Sequence, residues 1–246
     1  MNCLCYCVCR HPGPEVTDAL PGVGGYPVYQ VVQGGLSAAV SKIAHQDLSF
    51  DLPQIKVYEN VINICHRQGT VIPLRYGCVA TEEAQIRQRL EECHGYYQTL
   101  LQELEGCVEM GLRILLPPGS WSAVIPAGSR EAPGPAPDLG TPPARPGLAY
   151  LTARKTHYSH QDRWTRDYRQ AADRCRTYLT GLFIKEKIEP PSPRLPLLSL
   201  YFLVPQTAVE PFRRAFRHLS RIEKARMLLS GPWPPYNFVS RGPNLF

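Results

Sequence analysis

Residues 70–79 read TVIPLRYGCV, and the fold turns on them. Val71, Ile72 and Leu74 are the apolar positions of a short buried strand. Pro73 lacks the backbone donor that a central ladder needs, and Gly77 suits a turn. Helical spacing flanks the stretch on both sides. Before it, Ile55, Tyr58, Val61, Ile62 and Cys65 share one stripe behind the start signal Asp51-Leu52-Pro53, and Gly69 ends the run. After it, Thr81 offers an N-cap and Glu82 and Glu83 suit the positive end of a helix. The stripe there is Ile86, Leu90, Cys93, Tyr97, Leu100 or Leu101, and Leu104, closing at Gly106. A helix–strand–helix block of this kind is the core of a small layered unit.

Working outward toward the N-terminus, residues 36–43 (LSAAVSKI) and 26–33 (YPVYQVVQ) form a hairpin turned at Gly34-Gly35. Residues 11–27 are a loop punctuated by proline and glycine. Its PGVGG piece lacks the helix that a phosphate-binding loop requires. Residues 2–10 alternate strictly, which in a strand puts Cys3, Cys5, Cys7 and Cys9 on one face. Same-face neighbours would stand about 6.8 Å apart with parallel side chains, unsuited to a disulfide or a tetrahedral metal cage. These cysteines read as small apolar residues in a strand buried on both faces.

Toward the C-terminus, Val108, Met110, Leu112 and Ile114 alternate against Cys107, Glu109, Gly111 and Arg113. That reads as a last strand, giving residues 2–116 the order β-β-β-α-β-α-β. Glu109 and His94 are ionisable groups near this core with no partner that spacing supplies, and solvated or structural roles, not catalysis, are expected for them. Residues 117–146 hold nine prolines in thirty positions and read as a linker or disordered insertion, the domain boundary.

Beyond it, 148–155 (LAYLTARK) resumes a helical pattern, and a long helix is expected from Tyr158. Its stripe is Trp164, Tyr168, Ala172, Cys175, Leu179 and Leu182, with Arg163, Arg166, Arg169, Arg174 and Arg176 on the other faces. His157 and His160 are three apart but lack a third ligand at suggestive spacing. A proline-rich turn at 190–196 precedes the apolar strand 197–204 (LLSLYFLV). Val209, Phe212, Phe216 and Leu219 mark a further helix with Arg213, Arg214 and Arg217 outside, and 224–229 reads as a closing strand. The segment GPWPPYNFV (231–239) follows, denied regular structure by three prolines and armed with Trp233, Tyr236 and Phe238.

With 43% apolar and 20% charged residues over 246 positions, the chain belongs among soluble globular proteins. It has no apolar run of about 18 residues, so no membrane span is expected. The N-terminus lacks a basic n-region and a small-residue cleavage site and reads as mature protein. Nine cysteines without an export signal imply free thiols in a reducing cytosol. The net charge of +6 is uneven: residues 1–116 carry 8 Lys/Arg against 12 Asp/Glu, and 117–246 carry 19 against 9. A basic second half fits an acidic partner, and a nucleic-acid-binding protein is the alternative function this raises. The aromatics of its long helix lie on the core stripe, away from the arginines, which argues against stacking on bases. No paired acid–base groups mark a catalytic site.

Four motifs occur in order: VIPLRYGCVATEE (71–83), LEGCVEMGLRI (104–114), AYLTARK (149–155) and GPWPPYNFV (231–239). Together they closely resemble the gas vesicle protein family of the F and L types, over nearly the whole chain. The cysteine-rich first strand and the 117–146 insertion depart from that pattern. The resemblance implies an α+β protein of two domains. Residues 1–116 would form a ferredoxin-like variant, and 147–246 an α+β domain with a long helix and an aromatic, proline-rich tail. It implies no enzyme and no cofactor, and a place on gas vesicles in the cytoplasm. The implied role is an accessory or minor structural protein that binds the hydrophobic major shell protein, keeps it from aggregating and assists nucleation and assembly. Other gas vesicle accessory proteins would be further partners, with neither nucleic acid nor membrane among them. Trp233, Tyr236 and Phe238 are the candidate partner contacts; the competing reading has the tail plug its own core.

Overall fold

The structure, a computed structural model, describes residues 2–13, 20–44, 48–115, 166, 168–191, 197–223 and 225–239. The chain is α+β, built on two antiparallel sheets. The expected linker 117–146, the helical pattern at 148–155, and Trp164, His157 and His160 lie outside the described residues.

The first sheet contains β1 (Asn2–Arg10), β2 (Val28–Gln33), β3 (Leu36–Ile43), β4 (Val71–Pro73) and the two-residue β5 (Val79–Ala80). Its order is β2-β3-β1-β4, with β5 also on β1. Pro73 therefore sits on an edge, where its missing N–H is harmless. Gly34 and Gly35 turn the β2–β3 hairpin with φ of +56° and +79°, as two-residue hairpins of matching twist demand. Because β1 pairs antiparallel with β3, no crossover helix is needed between β1 and the hairpin.

Helices cover both faces of this sheet. On one face lies α1 (Leu52–Gln68), capped by Asp51, whose carboxylate accepts from the Gln54 N–H at 2.9 Å. Tyr58, Val61, Ile62 and Cys65 pack there against Leu4, Tyr6 and Val71. On the other lie α2 (Glu83–Glu92) and α3 (His94–Glu103), whose Ile86, Leu90, Tyr97 and Leu101 meet Val8, Val31 and Val40. The single helix expected from Thr81 is thus two, broken at Cys93, and α2 starts after Glu82. The break allows the His94 imidazole to lie 2.7 Å from the Gly34 carbonyl oxygen, fixing the start of α3 to the hairpin.

The cysteines of β1 do not share a face. The register shifts between Cys5 and Cys7, so Cys3 and Cys5 face α2 and α3, while Cys7 and Cys9 face α1. A bulge inserts one extra residue and inverts the alternation beyond it. All four are buried, as expected of apolar filler on two sides.

The second sheet contains β6 (Cys107–Leu115), β7 (Lys185–Glu189), β8 (Leu197–Pro205) and β9 (Arg226–Trp233) in the order β7-β8-β6-β9. This corrects the allocation of 107–114 to the first sheet: β6 pairs with β8 along its whole length. The apolar alternation is right for a strand, but it says nothing about which sheet receives it. Val108, Met110, Leu112 and Ile114 join Leu198, Leu200, Phe202 and Val204 under α4 (residues 168–179) and α5 (Val209–Ile222). Ala171, Ala172, Cys175 and Leu179 of α4 and Phe212 and Leu219 of α5 complete this core. The opposite side of β6 and β8 meets the first unit, because Cys107 and Leu203 belong to the core under α2 and α3.

Candidate functional site

The C-terminal segment crosses between the two units. β9 runs further than the closing strand expected at 224–229 and ends at Trp233, which pairs with Glu109 of β6. An irregularity in the β6–β9 pairing falls at Gly231, whose φ is +109° and where an added Cβ would lie 2.6 Å from the Glu109 carbonyl oxygen. Only glycine fits that conformation and that space. Pro234 and Pro235 are buried, and Tyr236–Phe238 makes one 3-10 turn.

Glu109 fastens the turn. The residue is only 4% exposed, and its carboxylate accepts from the Asn237 backbone N–H at 2.7 Å and from the Asn237 side-chain amide at 2.8 Å. Burial pushes its pKa up, while the two Asn237 hydrogen bonds pull it back. Lys187 of β7 donates to the Asn237 carbonyl at 3.3 Å. Of the solvated and structural roles expected for Glu109, its burial excludes the first, and the partner that spacing did not supply stands 128 residues away. Both carboxylate oxygens are occupied in this way, which leaves the group a clamp.

The three candidate contacts have different surroundings. Phe238, with Val239 beside it, packs against the core beneath α2 and α3. Tyr236 is 36% exposed, but its hydroxyl end turns inward, where burial, then Glu59, Cys7 and Glu109, raise its pKa. Trp233 is 46% exposed at the end of β9. On the same strand Leu228 is 60% exposed. Among the described residues, no group of three or more His, Cys, Asp and Glu side chains is placed to hold a metal ion. No described helix is long and apolar enough to cross a membrane.

Several arginines of the basic half are tied into ion pairs. Arg174 meets Glu223 at 2.7 Å, Arg176 meets Asp173 and Glu186, and Arg213 meets Glu210 at 2.6 Å. The Arg174 and Arg176–Glu186 pairs tie α4 to the end of α5 and to β7, the others lie within one helix, and all leave fewer cations for a phosphate backbone.

The fold and the C-terminal segment, a strap running from β9 to Val239, together define a two-sheet α+β protein whose buried polar groups serve internal attachment. A family model described as gas vesicle synthesis protein GvpL/GvpF matches residues 2–240. The chain belongs to that family, whose members are structural and accessory proteins of gas vesicles and not enzymes. It is 28% identical over 115 residues to gas vesicle protein F of Streptomyces sp. (strain CB03234), a match covering 46% of this chain and 48% of that protein. That match thus spans about half the relative's length. To gas vesicle protein L of the same strain it is 23% identical, covering 95% of this chain and 91% of the relative. Crystal structures of GvpF from Anabaena sp. PCC7120 and from Microcystis aeruginosa share the fold, each with a TM-score of 0.73. Identities are 16% and 15%, and coverage is 98% and 97% of this chain and 97% and 99% of those chains.

Proposed function

We propose that this chain is a cytoplasmic accessory and minor structural component of gas vesicles. In this reading it binds the hydrophobic major shell protein, limits its aggregation, and assists nucleation and assembly alongside other accessory proteins. The family match across residues 2–240 carries the proposal. A shell subunit with a large apolar face aggregates unless that face is covered before it polymerises. Trp233 is the tail aromatic best placed to take part, since it is half-exposed and ends an outer strand, while Phe238 is held against the first core.

Co-expression with the major shell protein, followed by affinity purification at moderate salt, tests the proposal. A stoichiometric soluble complex is expected. Trp233→Ala should leave the chain folded and reduce recovery of the complex several-fold. Failure of the unaltered chain to retain any shell protein would overturn the reading. Nucleic acid in the eluate instead would replace it with the alternative built on the basic half.

A further inference from the structure

We propose that the trough between α4 and α5, on the solvent side of the second unit, is a docking site for an amphipathic helix with carboxylates along one face. The inference goes beyond the shell-protein reading and does not rest on it, since that reading concerns Trp233.

Both helices pack on the second sheet. Tyr178 meets His218 with ring centroids 6.1 Å apart, and Arg174, one turn earlier on α4, meets Glu223 just past the end of α5. The two helices therefore run side by side and antiparallel. Phe212 and Leu219 turn α5 toward the core. At about 100° per residue, Arg214, Arg217 and Arg221 then fall within about 60° of one another on the opposite face. All three are exposed, and none has an ion pair among the described residues, whereas Arg174, Arg176 and Arg213 nearby are each bound to a carboxylate. Glu210 heads the same stripe but is taken by Arg213 at 2.6 Å. Like charges one turn apart destabilise a helix, and α5 keeps this row without an acidic neighbour to offset it. His218 and Ile222 adjoin the row on the side of α4, where Tyr178 faces them. Ile222 is 48% exposed and Tyr178 43%.

This pairing of a basic row with an apolar flank selects the occupant. Arg214 and Arg221 stand two turns, or about 10 Å, apart along α5. Carboxylates seven residues apart on a partner helix laid along the trough meet both, with one between them in reach of Arg217. The partner's adjoining apolar residues then rest on Ile222 and Tyr178. Same-face residues of an extended strand, about 6.8 Å apart, fall out of step with arginines three and four residues apart. A phosphate chain would leave Ile222 without an apolar contact. Among the described residues, no helix of this chain presents two unpaired carboxylates one turn apart, so a second copy does not supply the partner.

The test titrates the full chain with a helical peptide of about twenty alanine, leucine and glutamate residues, its glutamates on one face and its leucines on the next. One control carries lysine for glutamate; the other scatters the same glutamates around the helix. The one-faced glutamate peptide is expected to bind at least tenfold more tightly than either control. R214Q/R221Q should weaken it at least tenfold and Ile222→Ala by a smaller factor, both with the unaltered unfolding curve, since all three side chains are exposed. R214E/R221E should turn the preference toward the lysine peptide, and Trp233→Ala should leave binding unchanged. Equal affinity for the one-faced peptide and either control, indifference to R214Q/R221Q, or dependence on Trp233 would each overturn the proposal. So would a single-stranded oligonucleotide, or vesicles of phosphatidylglycerol, that bind more tightly than the peptide at equal charge and lose that binding in R214Q/R221Q.

Discussion

Glu109 shows how far a single residue can be read in advance. Its place on an apolar strand left it solvated or structural, and the choice between them depends on Asn237, which comes from the far end of the chain with no local pattern joining the two. Its raised pKa gives a signed expectation. Relative to the unfolded value near 4.5, the stability it contributes is fully present at lower pH and is lost as pH rises through the folded value. Glu83, which accepts from Tyr29 and pairs with Lys42 and Arg87, has a lowered pKa and acts in the opposite sense as pH falls. Denaturant unfolding of Glu109→Gln across pH should therefore lose the decline above about pH 4.5 and keep the acid limb. Gly231→Ala forces a side chain into a left-handed position against the Glu109 carbonyl. It should cost roughly 2 kcal/mol, read as a lower denaturant midpoint with an unchanged slope. The cysteines were legible as filler, and burial holds Cys9 up at about 11. Of nine thiols only Cys78 is less than buried, so a thiol reagent at neutral pH should titrate no more than one before the chain unfolds.

At the scale of elements, periodicity succeeded where one side chain pattern had one outcome. α1 appears with its expected stripe because Tyr58, Val61, Ile62 and Cys65 must all reach the same sheet. The Tyr58 hydroxyl also lies 2.7 Å from the Cys5 carbonyl oxygen and 3.0 Å from that of Arg75, bracing β1 and the turn after β4. Tyr58→Phe should remove that brace and cost about 1–3 kcal/mol in chemical denaturation, with the helix content retained. β7 escaped the sequence reading because Ile188 is its one apolar residue; its half-buried positions 186 and 188 alternate with exposed charges. The cysteine face of β1 failed for a related reason. A bulge is set by cross-strand register, and a strand read alone does not contain its partner. The prolines of 231–239 argue for an irregular tail from Gly231, yet β9 continues to Trp233, since an outer strand tolerates them.

For the whole molecule, the α+β class was legible and the routing of the chain was not. Helix and strand patterns set the class, whereas the destination of β6 depends on contacts with residues some ninety positions away, such as Phe202 opposite Met110. The units are joined by Cys107 and Leu203 entering the first core and by the strap through Phe238 and Val239. Phe238→Ala should weaken that junction by roughly 2 kcal/mol, about half the cost of emptying a fully buried site. It should also separate unfolding into two transitions by calorimetry. The position of β6 has a practical side. A gene interrupted within codons 117–146 would encode two pieces, of which the earlier keeps the strand that belongs between β8 and β9. Neither piece would complete the second sheet alone, and mixing them would restore it. The protein is thus laid out as a ready-made complementation pair, whose reunion would report the proximity of whatever each half is fused to.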